Sequence, residues 1–175
     1  MVLCTTGYCA DINWSLDGTA SGSVSSGTAL GTPSNIKDDN TSTYYGVNSF
    51  GGSLPVATYT ATVTFAESAD LLTSVNVTHA VQILGIPRGV AMTVDLFYSG
   101  SWNTIINVSF PTYNGTTQTN SATGNWTDVT AIRYNFTGGA SANIIFPNPI
   151  IDHRTYELRA FGPVNSTGNQ IITFI

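Results

Sequence analysis

From Thr58 to Phe65 the chain alternates strictly: Tyr59, Ala61, Val63 and Phe65 fall on one side, and Thr58, Thr60, Thr62 and Thr64 on the other. A period of two places successive side chains on opposite faces of an extended backbone, so this segment is a strand with one buried face. The pattern recurs in 90–98, where Val90, Met92, Val94, Leu96 and Tyr98 alternate with Ala91, Thr93, Asp95 and Phe97. It recurs again in 102–110, with Trp102, Thr104, Ile106, Val108 and Phe110 on one side. A further strand is expected around Val75 and Val77, and others over 129–136, 142–146, 156–161 and 170–175. Residues 18–34, rich in Gly, Ser and Thr, read as a loop or a weak edge strand. No window carries a capped 3.6-residue stripe. Many short strands between Gly, Asn and Pro turns predict an all-β protein, an antiparallel sandwich or barrel.

At 175 residues the chain suits one domain with a real core, and it shows neither an internal repeat nor a domain boundary. Only 9% of residues are charged, so the polar surface must come from Ser, Thr, Asn and Gly. Surfaces of that kind are common on extracellular and virion β-proteins. Net charge is −5 and Lys37 is the only lysine. Without a basic stripe, nucleic acid and anionic membranes are not expected partners. No run approaches the ~18 apolar residues of a membrane span. The start, Met1-Val2-Leu3-Cys4, has no basic or long apolar signal region, which suggests a trimmed product or a phage or virus structural protein.

Cys4 and Cys9 are either bridged across a short loop or two thiols, and with His79 and His153 they make no zinc spacing. Eight Asn-x-Ser/Thr sequons begin at Asn13, Asn40, Asn76, Asn107, Asn114, Asn125, Asn135 and Asn165. They read either as glycosylation sites or as strand faces built of Asn and Thr, since residues i and i+2 share a face.

The segment Asn35-Ile36-Lys37-Asp38-Asp39-Asn40-Thr41-Ser42-Thr43-Tyr44-Tyr45 gathers short oxygen-bearing side chains. Such a loop is an Asx-rich turn or a site for a hard cation such as Ca²⁺. It resembles the Asn-x-x-Asp-Gly-Asp-x-x-Thr-x-Trp signature of discoidin-like domains, the coagulation-factor type C and galactose-binding carbohydrate modules. Ser99-Gly100-Ser101-Trp102 resembles their Asp-Gly-x-x-Trp hairpin, and Tyr156-Glu157-Leu158-Arg159-Ala160-Phe161-Gly162 their closing strand. The resemblance implies a jelly-roll β-sandwich over 28–162, preceded by an N-terminal arm (1–27) and followed by a strand extension (163–175). It also implies a structural Ca²⁺ held by Asp38, Asn40, Thr43 and Glu157. Three departures weaken that ion: Asp39 stands for the Gly, Asn40 for an Asp and Tyr45 for the Trp.

For a glycan, the family's loop site points to Asn48 and Phe50 in one Gly-rich loop and to His79 and Arg88 bounding another. The competing reading makes Phe50 core, His79 a strand cap and Arg88 a surface ion-pair partner. Catalysis is not expected. No carboxylate pair is selected by spacing, and Asp152-His153-Arg154 lacks a nucleophile elbow. The tail carries Ile171, Ile172, Phe174 and Ile175, an apolar stretch that must complete this sheet or pair with a neighbour. The chain thus reads as a carbohydrate-binding or adhesion module on a virion or extracellular surface. The alternative is a structural subunit of a virion or filament that assembles through its tail.

Overall fold

The computed structural model describes residues 11–51, 54–109 and 113–163. Eleven strands form two antiparallel sheets packed face to face. They are β1 (Asp11–Asn13), β2 (Thr19–Ser26), β3 (Thr28–Gly31), β4 (Tyr45–Phe50), β5 (Val56–Ala69) and β6 (Leu72–Leu84). After these come β7 (Ile86–Tyr98), β8 (Ser101–Ser109), β9 (Asn114–Trp126), β10 (Val129–Ser141) and β11 (Ile150–Pro163). A 3-10 turn, Pro33–Ile36, precedes β4. One sheet has the order β3-β4-β11-β6-β9, with β1 joining β11 beyond the end of β4; the other has β2-β5-β10-β7-β8. Crossing between the sheets is frequent, as a jelly roll requires.

The alternating runs bury the faces they advertise. Tyr59, Ala61, Val63 and Phe65 of β5 and Val90, Met92, Val94 and Leu96 of β7 all enter one core, opposite Val75, Val77, Val81 and Ile83 of β6. Ser99-Gly100 makes the two-residue β7–β8 turn with positive φ at both positions (52° and 75°), the mirror-image geometry that matches strand twist.

Several expectations change. The face predicted for 102–110 is not continuous, because a bulge at Ile105 shifts the register between β7 and β8. Trp102 and Thr104 therefore face out, toward Phe97 and Asp95, while Ile106 and Val108 face in. Residues 142–146 are not a strand. The Asn143 side chain accepts the amides of Ile145 and Phe146 (2.9 and 2.6 Å), closing a turn just before Pro147 and Pro149. Asn48 and Phe50 lie in β4 rather than a loop, and 79–88 is β6, a tight turn at Gly85 and the start of β7. Residues 18–34 hold two strands, β2 and β3, each at a sheet edge. β9, built of Asn, Thr, Ser, Gly and Gln apart from Ala122 and Trp126, carries no apolar alternation and is a strand only because β6 pairs with it. Cys4, Cys9 and the segment 170–175 with Ile171, Ile172, Phe174 and Ile175 lie outside the described residues.

Candidate functional site

Strand β11 is the centre of its sheet, and the period of two divides its side chains. Ile151, His153 and Thr155 point into the core, while Asp152, Arg154 and Tyr156 point out. Asp152-His153-Arg154 is therefore no constellation: its imidazole is on the other side of the sheet from its two charges. Outside, Arg154 forks onto Asp152 through Nε and Nη2 (2.9 and 3.0 Å). Its guanidinium also lies over the Tyr44 ring, 4.7 Å from the centroid. Tyr44 meets Tyr156 edge-on at 6.0 Å. Donating these hydrogen bonds to Asp152 raises the Arg154 pKa, against desolvation, so the pair is a mutually neutralised fork.

Small neighbours turn this cluster into a depression. Ala80 is the register partner of Arg154 on β6, and Gly115 opens β9 beside it. Together with Gln82 these residues line a cavity of about 100 Å³ on the outer face. Asn48 is the β4 partner of Asp152, and its buried Oδ1 has no hydrogen-bond partner.

The oxygen-rich loop adjoins the same spot. Asp38 accepts the Asn40 amide and the Thr43 hydroxyl (3.0 and 2.7 Å), and the Thr43 hydroxyl also bonds the Asn40 carbonyl oxygen (2.9 Å). Asn40 in turn accepts the Ser42 amide. Asp39 takes the left-handed conformation (φ 58°) that a glycine would favour, which an Asx residue tolerates, and its carboxylate meets Arg159 at 2.5 Å. Under this loop lies Glu157, placed on the outer side by a bulge between Thr155 and Glu157. It is 1% exposed, and neither carboxylate oxygen has a hydrogen-bond partner. Burial raises its pKa, Arg159 with Nε 3.6 Å away lowers it, and the Asp38 charge raises it again. Among the described residues no three His, Cys, Asp or Glu side chains cluster as a metal site. The acidic contribution is two carboxylates, Asp38 and Glu157, and further oxygens would come from Thr43, Asn40 and backbone carbonyls.

The four predicted glycan residues do not converge. Asn48 borders the depression. Phe50, 71% exposed, ends β4 at one tip of the sandwich. Arg88 lies at the same tip but on the other sheet, donating Nε to Ser141 Oγ (2.9 Å). His79 is fully buried in β6 and belongs to the core, with Nε2 2.8 Å from Asn120 Oδ1. Asp152, Arg154, Tyr156 and Tyr44 were missed as a group. Their signal was available as the i, i+2, i+4 spacing on a strand whose start the sequence reading placed at 156.

One of the sequons serves a strand face. Asn135 donates to Thr93 and Asp95 and accepts from Thr60, so its amide is spent within the strand face.

No protein-family profile and no curated relative matches the sequence. Solved structures do. A family 32 carbohydrate-binding module of Clostridium perfringens, solved with galactose, superposes with a TM-score of 0.52 at 14% identity, covering 87% of this chain and 99% of that one. The fold is that of the discoidin-like domains. Chitosan-binding module 2 of a Paenibacillus chitosanase/glucanase, solved with chitotriose, gives 0.54 at 17% identity over 86% of this chain and all of that one. Chitosan-binding module 1 of the same enzyme gives 0.55 at 14% identity over 86% and 98%. This sandwich thus shares with those modules its architecture over nearly their full length.

Proposed function

We propose that this chain is a non-catalytic carbohydrate-binding module that holds one sugar residue in the depression around Arg154. The observation that carries the reading is the Tyr44–Arg154–Asp152–Tyr156 cluster. Tyr156 offers a ring to the apolar face of a pyranose. The Arg154–Asp152 fork offers spare N–H donors and carboxylate lone pairs to adjacent hydroxyls, with no net charge to repel a neutral glycan. Gln82 and Asn48 add amide groups at the rim. The solved neighbours, complexes with galactose and chitotriose among them, use the same fold for sugars. A surface poor in charge and rich in Ser, Thr and Asn suits exposure on a virion or other extracellular surface.

Ca²⁺ is part of the proposal, held by Asp38, Asn40, Thr43, Glu157 and neighbouring carbonyls. Glu157, buried with Arg159 Nε 3.6 Å away as its ion-pair partner, supports it, because a cation there would add to the compensation of a buried charge. Thr43 precedes Tyr44 and Glu157 follows Tyr156, so the ion would steady both rings.

Titration calorimetry against sugars selected on a glycan array tests the site. Arg154→Ala and Tyr156→Ala should each weaken binding at least about tenfold. Binding that neither substitution alters would move the site elsewhere. Thermal melts should rise with Ca²⁺ and fall with chelator in the wild type but not in Glu157→Gln. Equal wild-type melts would remove the ion from the proposal.

A further inference from the structure

Large apolar side chains left in water are concentrated at one tip of the sandwich. Phe50, Leu54, Val56, Ile86, Ile144, Ile145 and Ile150 are all exposed, Ile144 completely and Ile145 at 77%. The registers place them together. Phe50 pairs with Ile150, Ile150 with Leu84, Ile86 with Ser141 and Val56 with Gly139. These are the ends of β4, β6 and β10 and the starts of β5, β7 and β11. Among the described residues, the other tip exposes one large apolar side chain, Leu16 at 39%. In 139–151 there is no charged residue, and in 84–90 only Arg88. An apolar surface of that extent on a domain otherwise covered by Ser, Thr and Asn marks a contact surface.

We propose that this tip receives the apolar segment Ile171-Ile172-Thr173-Phe174-Ile175 of a second copy of the chain. The segment is uncharged, so it fits a surface that has no charge to pair apart from Arg88. Distance keeps Ile171 and Ile172 of the same chain away from this tip. β11 begins at the apolar tip with Ile150 and ends at the opposite tip with Pro163, where it pairs with Asp11. Its fourteen residues run roughly 43 Å at about 3.3 Å each. From Pro163, eight residues reach Ile171 and can span at most about 29 Å. Ile171 and Ile172 therefore cannot return to their own apolar tip, whereas a neighbour stacked behind presents its tip directly to them. Tip and tail are different surfaces, so the contact is head to tail. Repetition closes into a ring or runs on as a filament. This inference stands independently of the glycan site.

Analytical ultracentrifugation of full-length chains tests it. The wild type should sediment as a concentration-dependent series of oligomers. A tip variant, Ile144→Asp with Ile145→Asp, and a tail variant, Ile172→Asp with Phe174→Asp, should each be monomeric. Ile144 and Ile145 are exposed, so the tip variant should keep its fold, which circular dichroism checks. An equimolar mixture of the two should form a dimer and stop there, since one intact tail meets one intact tip. A monomeric wild type, either variant still associating, or a mixture that stays monomeric would overturn the proposal. So would phosphatidylcholine vesicles that bind the tail variant and not the tip variant, which would give the surface to lipid instead.

Discussion

Acidification should destabilise this domain through two buried imidazoles. His153 is fully buried, with Nδ1 2.9 Å from the Tyr59 hydroxyl and Nε2 2.7 Å from the Tyr134 hydroxyl. His79 stacks on it at 5.6 Å, with Nε2 on Asn120 Oδ1 and Nδ1 unpartnered. Burial pushes the His153 pKa well down, and the neighbouring His79 pushes it further. Burial also lowers His79, partly offset by Asn120. The unfolded chain titrates both near 6.5. Above that pH neither state binds these protons and stability is level. Below it the unfolded state takes up protons that the native state refuses, so stability falls as pH falls, by up to about 1.4 kcal/mol per unit per ring. A ring that stays neutral to pH 5 has then cost about 2 kcal/mol, and the pair at most about 4, a large share of a typical 5–15 kcal/mol. Glu157 acts in the opposite sense, because its raised folded pKa adds stability as pH falls, but only toward the carboxylate range at the bottom of this window. Urea unfolding from pH 8 to 5 should show a plateau and then a falling midpoint at constant slope against urea. His79→Leu should shallow that fall toward one proton. A wild-type midpoint level from pH 7.5 to 5 would refute the reasoning.

Gly46→Ala should cost at least about 3 kcal/mol, read from the urea midpoint, because a Cβ there would sit 2.0 Å from the His153 carbonyl oxygen and force β4 off β11. A loss below about 1 kcal/mol would show that the strands part without strain. Asp95→Ala should cost about 2 kcal/mol by the same measurement. Asp95 is 3% exposed and accepts bonds from Arg133 (3.0 and 2.7 Å), Thr104 (2.7 Å) and Asn135 (2.8 Å), although Arg133 remains partly wet. No measurable loss would mean that water replaces the carboxylate at all three partners.

Strand class was legible because period two is a local property: Tyr59, Ala61, Val63 and Phe65 declare their buried face without reference to any neighbour. The Ser99-Gly100 hairpin was legible through its resemblance to a family motif, and its positive φ at both positions came from the structure. What stayed hidden depended on partners. β9 has no apolar stripe, and only the free edge of β6 makes it a strand. The bulge at Ile105 reverses a face that the sequence pattern continues, because register belongs to a pair of strands. His79 looked like a loop ligand, yet its chemistry is set by the two sheets that close over it and strip its water. Asp152, Arg154 and Tyr156 lie two apart in the chain, but they make a site only where Ala80 and Gly115, brought by β6 and β9, leave room in front of them. Sequence fixes which side chains share a face of one strand. Which faces meet, and what lies empty between them, is decided by long-range pairing, whose energy no local stretch of chain contains.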